Sequence, residues 1–147
     1  KLHVFERSGE RSLVVATAGN LSVTQGALNY LNDGLENPET GGLETIYDCV
    51  NMLHAAQFVG RAVRRARSEA VDPAGQIAGV SFDVSLLLGG QIGAVSPRLF
   101  MIYTAGNFIE CTPDTNYLQI GEHKYGKPIL DRAVTYESNI YDALKLD

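Results

Sequence analysis

The stretch Thr17-Ala18-Gly19-Asn20 marks the point where a predicted strand changes to a predicted helix. The residues before it, Leu13 to Ala16, form a short apolar run of the kind found in strands that are buried on both faces. After it, leucines recur at helical spacing, and either Asn20 or Ser22 can serve as the N-cap. The pattern therefore predicts a strand-to-helix junction that carries a glycine.

Gly19 is the candidate functional residue of this junction. A main-chain N–H at the start of a helix lies near the positive end of the helix dipole, where it stabilises a developing negative charge. Glycine also lets a substrate backbone approach closely, because it has no side chain. The pattern is consistent with an oxyanion-hole donor. It is also consistent with a plain strand-to-helix turn, which the local sequence alone favours.

A second strand pattern precedes the junction. Lys1-Leu2-His3-Val4-Phe5 predicts a strand whose odd-numbered residues share one face and whose even-numbered residues share the other. A polar turn over Glu6 to Arg11 then reverses the chain. We therefore expect the strand over Ser12 to Ala18 to return beside Lys1, which on this evidence alone could be a solvated terminal residue.

Length and composition indicate one globular domain over residues 1–147. The chain is 45% hydrophobic and 20% charged, which is typical of a globular protein with a single core. It has no apolar stretch of bilayer length and no recognisable signal peptide. We expect no membrane partner and a cytoplasmic location.

The net charge and the spacing of cysteine and histidine argue against nucleic-acid binding and against a metal site. A net charge of −5 argues against general nucleic-acid binding, which needs an excess of Lys and Arg. Cys49 and Cys111 have no metal-like spacing and are expected to be free thiols. The three histidines are scattered, so no metal site is predicted. The chain has one basic cluster, which consists of Arg61, Arg64, Arg65 and Arg67. We interpret it as a solvated helix face, and the alternative is a site that binds an acidic partner surface.

The remaining pattern predicts helices followed by strands and further helices. The first helix should end near Asp33-Gly34, followed by a loop from Glu36 to Gly42. A long helix is predicted from Glu44 to Ala70, with Asp72-Pro73-Ala74-Gly75 ending it. Strands are predicted over residues 80–90, 98–103, 107–111 and 117–120, then a helix over 124–132 and another from Ser138. The fold class is α+β, and two sheets enclosed by helix layers would bury the apolar faces.

Four motifs in this order resemble the proteasome β-subunit family of N-terminal nucleophile hydrolases. Three are Lys1-Leu2-His3-Val4-Phe5-Glu6, Thr17-Ala18-Gly19-Asn20-Leu21 and Thr24-Gln25. The fourth runs from Ile120 through Gly-Glu-His-Lys-Tyr-Gly-Lys to Pro128. Within that family the chain looks most like the bacterial ancestral β-subunits, and the likeness covers its whole length. It implies a four-layer αββα sandwich of two antiparallel sheets between helix layers.

The resemblance also implies a catalytic site. Lys1 matches the active-site lysine, whose charge activates the hydroxyl and amine of an N-terminal threonine. Gly19 matches the glycine that donates its N–H to the oxyanion hole. Thr17 and Leu21 match residues lining a neutral substrate pocket, and Gly121 matches a further glycine assigned to substrate binding.

Two departures accompany these matches. The nucleophilic threonine and the aspartate that partners the lysine are expected upstream of Lys1, and a second aspartate beyond Asp147. The chain is therefore expected to be an incomplete piece of the fold, inactive by itself. The second departure is Glu122, where the family usually has serine. We assign Glu122 a catalytic role as a partner of Lys1, with a surface residue favourable to the helix dipole as the alternative.

The leading functional hypothesis is a threonine-type peptidase subunit that hydrolyses peptides or unfolded proteins inside a ring of identical subunits, with an ATP-dependent unfoldase as a further partner. No cofactor is implied, because amine, hydroxyl and lysine suffice for acyl transfer. The alternatives are a non-catalytic scaffold subunit of the same fold and an amidohydrolase of small amides.

Overall fold

The computed structural model describes residues 1–71 and 79–145. Within these ranges the strands are β1 (Leu2–Arg7), β2 (Arg11–Gly19), β3 (Leu35–Glu36), β4 (Leu43–Glu44), β5 (Val84–Ile92), β6 (Arg98–Tyr103) and β7 (Phe108–Glu110). The helices are α1 (Leu21–Asp33), α2 (Met52–Ala70), α3 (Gly126–Ala133) and α4 (Ile140–Leu144). None of these helices is long and apolar enough to cross a membrane.

Five strands form one antiparallel sheet in the order β1-β2-β5-β6-β7, and β3 pairs with β4 separately. The α+β class is therefore confirmed. Alternate residues of the central strands point toward α1 and α2 and are fully buried, as Leu13 of β2 and Leu86 of β5 illustrate. Phe58 of α2 fills the space between the layers. The core thus lies between the helix pair and one face of the sheet.

The opposite face of the sheet is also apolar. One row of it crosses all five strands, because these residues lie opposite one another in the register: Leu2, Ala16, Leu87, Met101 and Ile109. Val4 lies on this face and is 58% exposed, while Val14 and Ala16 are half-buried. The prediction that Leu13 to Ala16 is buried on both faces is therefore wrong in the described part of the chain, where helices cover one face.

Helix α2 is shorter than predicted. It begins at Met52, whereas the expected helix began at Glu44, and it ends at Ala70 as expected. Asn51 is its N-cap, and the Asn51 side chain accepts a hydrogen bond of 2.8 Å from the His54 N–H. Upstream, the Asp48 carboxylate accepts one of 2.8 Å from the Thr45 N–H. These short polar side chains form a turn and a cap that compete with helix, so Glu44 joins strand β4 instead.

The ends of α1 agree with the sequence. Asn20 is its N-cap, and its side chain accepts a hydrogen bond of 3.1 Å from the Val23 N–H. Gly34 follows Asp33 as the C-cap, with φ of 111° and its N–H donating to the Tyr30 carbonyl. A positive φ of this kind favours glycine. The predicted loop from Glu36 to Gly42 is mainly the connection of the β3–β4 hairpin.

Several other boundaries differ. Strand β5 begins at Val84, four residues later than expected, and α3 and α4 begin two residues later than expected. Residues 117–120 form no strand. The neighbouring Asn116 amide donates instead to the Val134 carbonyl at 2.9 Å, and the Tyr117 hydroxyl donates to Asp131. Residues 116 and 117 are thus attached by side-chain hydrogen bonds to α3 and to the residue that follows it, not by strand pairing. The predicted helix stop at residues 72–75 and the chain end at Asp147 lie outside the described residues.

Candidate functional site

Lys1 and Thr17 form the end of the β1–β2 ladder. The Thr17 N–H donates to the Lys1 carbonyl at 2.9 Å, and the Lys1 main-chain nitrogen donates to the Thr17 carbonyl at 3.0 Å. Directly opposed residues of an antiparallel pair project their side chains from the same face of the sheet. The exposed Lys1 side chain and the half-buried Thr17 side chain therefore emerge side by side.

Gly19 ends β2 two residues further on. Main-chain groups of a strand alternate between its two edges, so the Gly19 N–H points to the same edge as the Thr17 N–H, which faces Lys1. On the other edge, Gly19 lies opposite Val84 of β5. The Val84 N–H and carbonyl are both bonded to the Thr104 hydroxyl, at 2.8 and 2.9 Å, and so face away from β2. The Gly19 N–H is thus directed to the edge on which Lys1 lies.

Glycine is required at this position for two reasons. Gly19 has φ of 102°, a conformation that L side chains rarely adopt. A Cβ atom there would also lie 2.3 Å from the Asp83 carbonyl oxygen and 2.8 Å from the Val84 Cα. The glycine therefore permits both the bend from β2 into α1 and the close approach of β5.

A small open cleft of about 220 Å³ lies beside Gly19. It brings the two predicted glycines together, since Gly19 and Gly121 both line it, along with Ala18, Asp83, Val84 and Ser85. Leu21, the first residue of α1, is exposed. The structure thus gathers Lys1, Thr17 and Gly19 at one end of the sheet and adds Gly121 across the cleft.

In the described residues no hydrogen bond or ion pair joins Glu122 to Lys1. Its carboxylate accepts a hydrogen bond of 3.2 Å from the Lys124 N–H, within its own turn. The helix that was expected to begin near it begins at Gly126. The adjacent His123 lines a different cavity with Lys127 and Asp131.

His3 is a polar residue of the Lys1 face that sequence analysis did not assign to the site. Its Nε2 atom is buried and has no hydrogen-bond partner. Burial lowers the pKa of His3 from its ordinary value of 6.5, and the nearby positive charge of Lys1 lowers it further. The alternation of the first strand was the available signal, because it put His3 beside Lys1.

A separate cluster joins the β3–β4 hairpin to α2. The buried Glu44 carboxylate binds Arg61 at 2.6 Å and also contacts His54 Nε2. The Cys49 thiol lies within 4.8 Å of the Glu44 and His54 ligand atoms, a grouping that the sequence spacing did not indicate. Burial, followed by the Glu44 charge, raises the pKa of Cys49 to about 12. Arg61 is half-buried, so it is not part of the solvated face predicted for the arginine cluster.

These three residue types could hold a metal ion, but their hydrogen bonds oppose it. His54 Nδ1 accepts a hydrogen bond of 3.1 Å from the Val50 N–H, so the imidazole proton is on Nε2, the atom that faces Glu44. A metal at Nε2 would require the proton to move to Nδ1, where it would face another N–H. We therefore interpret the cluster as an ion-pair network that fastens the hairpin.

Comparison with solved structures gives the family. An ancestral β-subunit (Anbu) from Yersinia bercovieri superposes with a TM-score of 0.84 at 42% identity, and Anbu from Hyphomicrobium sp. strain MC1 with 0.83 at 43% identity. A structure described as the helical assembly of the Anbu complex from Pseudomonas aeruginosa gives 0.83 at 37% identity. Each comparison covers 99% of this chain and 58% of the other. No protein-family model and no curated protein matches the chain.

The fold and the sequence identity define a proteasome-like ancestral β-subunit. The chain belongs to the Anbu family. It spans less than two thirds of the length of the Anbu structures that it matches.

Proposed function

We propose that this chain is part of a threonine-type peptidase subunit in which residues 1–147 belong to a single β-subunit domain. The nucleophilic threonine and its aspartate partners would lie in the part of the subunit outside these residues. The observation that carries the proposal is the pairing of Thr17 with Lys1, because the alternation of main-chain groups along β2 then directs the Gly19 N–H to the edge on which Lys1 lies. A cationic side chain and a main-chain donor at one edge suit acyl transfer.

In the proposed reaction the threonine hydroxyl attacks the peptide carbonyl, and the threonine α-amine takes up the hydroxyl proton. The Gly19 N–H stabilises the oxyanion, and the Lys1 ammonium keeps the hydroxyl and amine in their reactive forms. The C–N bond then breaks and the leaving amine receives the proton. Water cleaves the ester and restores the hydroxyl. No cofactor takes part.

The other candidate residues have supporting roles in this proposal. Thr17 and Leu21 would line a neutral pocket for the residue before the scissile bond, and Gly121 would let the substrate approach across the cleft. Glu122 would pair with Lys1 or assist proton transfer, which requires its carboxylate to leave the Lys124 N–H. This requirement makes Glu122 the least supported member of the site.

We also propose the four-layer αββα sandwich for the whole subunit. The apolar row from Leu2 to Ile109 supports it, because an apolar sheet face that remains in water is unfavourable and a second sheet would cover it. One occupant of that face would be the strands that carry the nucleophile. In this proposal the threonine lies at the end of the sheet at which Lys1 lies.

The proposal has further parts. The identical subunits would assemble into a ring in the cytoplasm, cleave peptides and work with an unfoldase partner. The Pseudomonas aeruginosa relative is described as a helical assembly, which supports self-association. Self-association would also serve a second candidate function, a scaffold subunit that assembles without catalysing hydrolysis.

A labelling experiment distinguishes these functions. The full-length subunit would be treated with a peptide epoxyketone, which forms a ring with both the amine and the hydroxyl of an N-terminal threonine, and then analysed by intact mass. An adduct on a terminal threonine upstream of Lys1 supports the peptidase. A terminus that is blocked or lacks a nucleophile would favour the assembly subunit. A subunit that is labelled but cleaves only small amides would favour the amidohydrolase.

A further inference from the structure

Asn20, the residue after the proposed oxyanion donor, forms hydrogen bonds with several other residues. The Asn20 main-chain N–H donates to the Asp83 carbonyl at 3.0 Å. Its side-chain amide donates to the Ser81 carbonyl, also at 3.0 Å, and its side-chain oxygen accepts from the Val23 N–H at 3.1 Å. One side chain thus connects the start of α1 with the segment that leads into β5.

That segment is itself fixed to the next strand. The Thr104 hydroxyl accepts a hydrogen bond from the Val84 N–H and donates one to the Val84 carbonyl. Gly19 packs directly on the same residues, since a Cβ on Gly19 would lie 2.3 Å from the Asp83 carbonyl oxygen. The position of the Gly19 peptide is therefore set by the segment from Ser81 to Val84.

The two side-chain hydrogen bonds of Asn20 have different consequences. The bond to Val23 is an N-cap, which stabilises α1 and requires only an oxygen acceptor. The bond to Ser81 requires a donor and contributes nothing to the cap. An N-cap could be Ser, Thr, Asp or Asn with similar effect, but of these only Asn carries an NH₂ group to reach a second carbonyl.

We propose that Asn20 is a positioning residue of the catalytic site: its side-chain amide holds the Gly19–Asn20 junction against Ser81–Val84 and so fixes the direction of the Gly19 N–H. This inference rests on the proposed function for its catalytic consequence, although the positioning itself does not. A preorganised donor is effective because it needs no reorganisation during the reaction, and small displacements in a site reduce rates strongly.

The test is Asn20→Asp in the full-length subunit. Asp keeps the cap oxygen, but its second oxygen would face the Ser81 carbonyl and repel it. We expect α1 to remain stable, kcat on a fluorogenic peptide to fall about tenfold or more, and KM to change less than twofold. Asn20→Ser keeps a cap and also lacks the donor, so it should act in the same direction. Asn51→Asp is the matched control, because the Asn51 side chain also accepts a hydrogen bond from the N–H three residues further on, at the start of α2 and away from the site.

Amide hydrogen exchange of the peptide spanning residues 17–25 is the second readout. Exchange should become faster in Asn20→Asp and stay unchanged in Asn51→Asp. Unchanged exchange and an unchanged kcat in Asn20→Asp would overturn the proposal, as would faster exchange with an unchanged kcat. If the wild-type subunit has no peptidase activity, the proposed function fails, and the exchange data alone decide whether Asn20 positions Gly19.

Discussion

Lys1 and Thr17 are joined by two main-chain hydrogen bonds, of 3.0 and 2.9 Å, so the attachment of Lys1 to the sheet does not depend on its side chain. The side chain is exposed at the end of the ladder, beside Thr17. Lys1 can therefore be changed without removing the ladder that positions it, which makes its proposed chemical role separable from folding.

The first prediction concerns Lys1→Ala in the full-length subunit. We expect peptidase turnover to fall by at least about 100-fold, because the charge that activates the nucleophile is lost. Assembly and the melting temperature should stay close to wild type. Steady-state hydrolysis measures the turnover, size-exclusion chromatography the assembly and thermal denaturation the melting temperature. Lys145→Ala, at an exposed lysine paired with Asp142, is the control, and turnover that is equal in both variants would remove Lys1 from the mechanism.

The second prediction tests the sandwich with two valines of nearly equal exposure. Val4 is 58% exposed on the apolar face of the sheet, and Val95 is 57% exposed in the β5–β6 connection. If a second sheet covers the face in the full-length subunit, Val4→Ala should lower the free energy of unfolding by about 2 kcal/mol, from lost burial and a cavity. Val95→Ala should change it by less than about 0.5 kcal/mol. Urea denaturation compares them, and equal effects would contradict the sandwich.

The parts of the fold that were predicted correctly depend on local chemistry. The two ends of α1 follow from Asn20 as an N-cap and Gly34 as a C-cap, each of which acts within one turn of the chain. The alternation of residues also predicted strand β1, although it did not reveal which face of the strand would meet the helices. Phe5 is buried while Val4 is exposed, because the burial of a face depends on what packs against it.

The errors arise where local turns and caps displace a predicted helix and where distant contacts hold a residue outside it. Glu44 fits the start of a helical pattern, but its carboxylate binds Arg61 and His54, which are 17 and 10 positions away. Gly19 could be predicted from the strand-to-helix junction alone, whereas the roles of Lys1 and Thr17 came from the resemblance to the family. The burial of His3 Nε2 and the position of Gly121 beside Gly19 depend on packing between segments, which the alternation within one strand does not reveal.

The third prediction concerns Glu44→Gln. Glu44 is only 6% exposed, and its loss of charge would leave the half-buried Arg61 without its anionic partner. Removing one member of a buried pair is costly, and because Arg61 is partly solvated we expect a decrease of about 2–3 kcal/mol in the free energy of unfolding. Glu69→Gln is the control, since the Arg65–Glu69 pair is solvent-exposed and screened. A thermal shift equal in both variants would show that Glu44 acts as a surface charge.

The fourth prediction is a pH dependence of stability that comes from His3. Its pKa is lowered in the folded state by burial and by Lys1. As the pH falls below the unfolded value of 6.5, the unfolded chain takes up a proton that the folded chain resists, so the free energy of unfolding decreases. The decrease continues until the pH is below the folded pKa and is absent well above 6.5.

The measurement is urea denaturation of the wild-type subunit and of His3→Gln between about pH 5 and pH 8, at one fixed subunit concentration. Carboxylates such as Asp48, whose pKa is lowered mainly by the hydrogen bond from the Thr45 N–H, also lose stability toward low pH. They titrate in both proteins, so they cancel in the difference between the two curves. Wild type should lose stability faster than His3→Gln below pH 6.5, and parallel curves over the whole range would mean that the His3 imidazole is hydrated in the folded subunit.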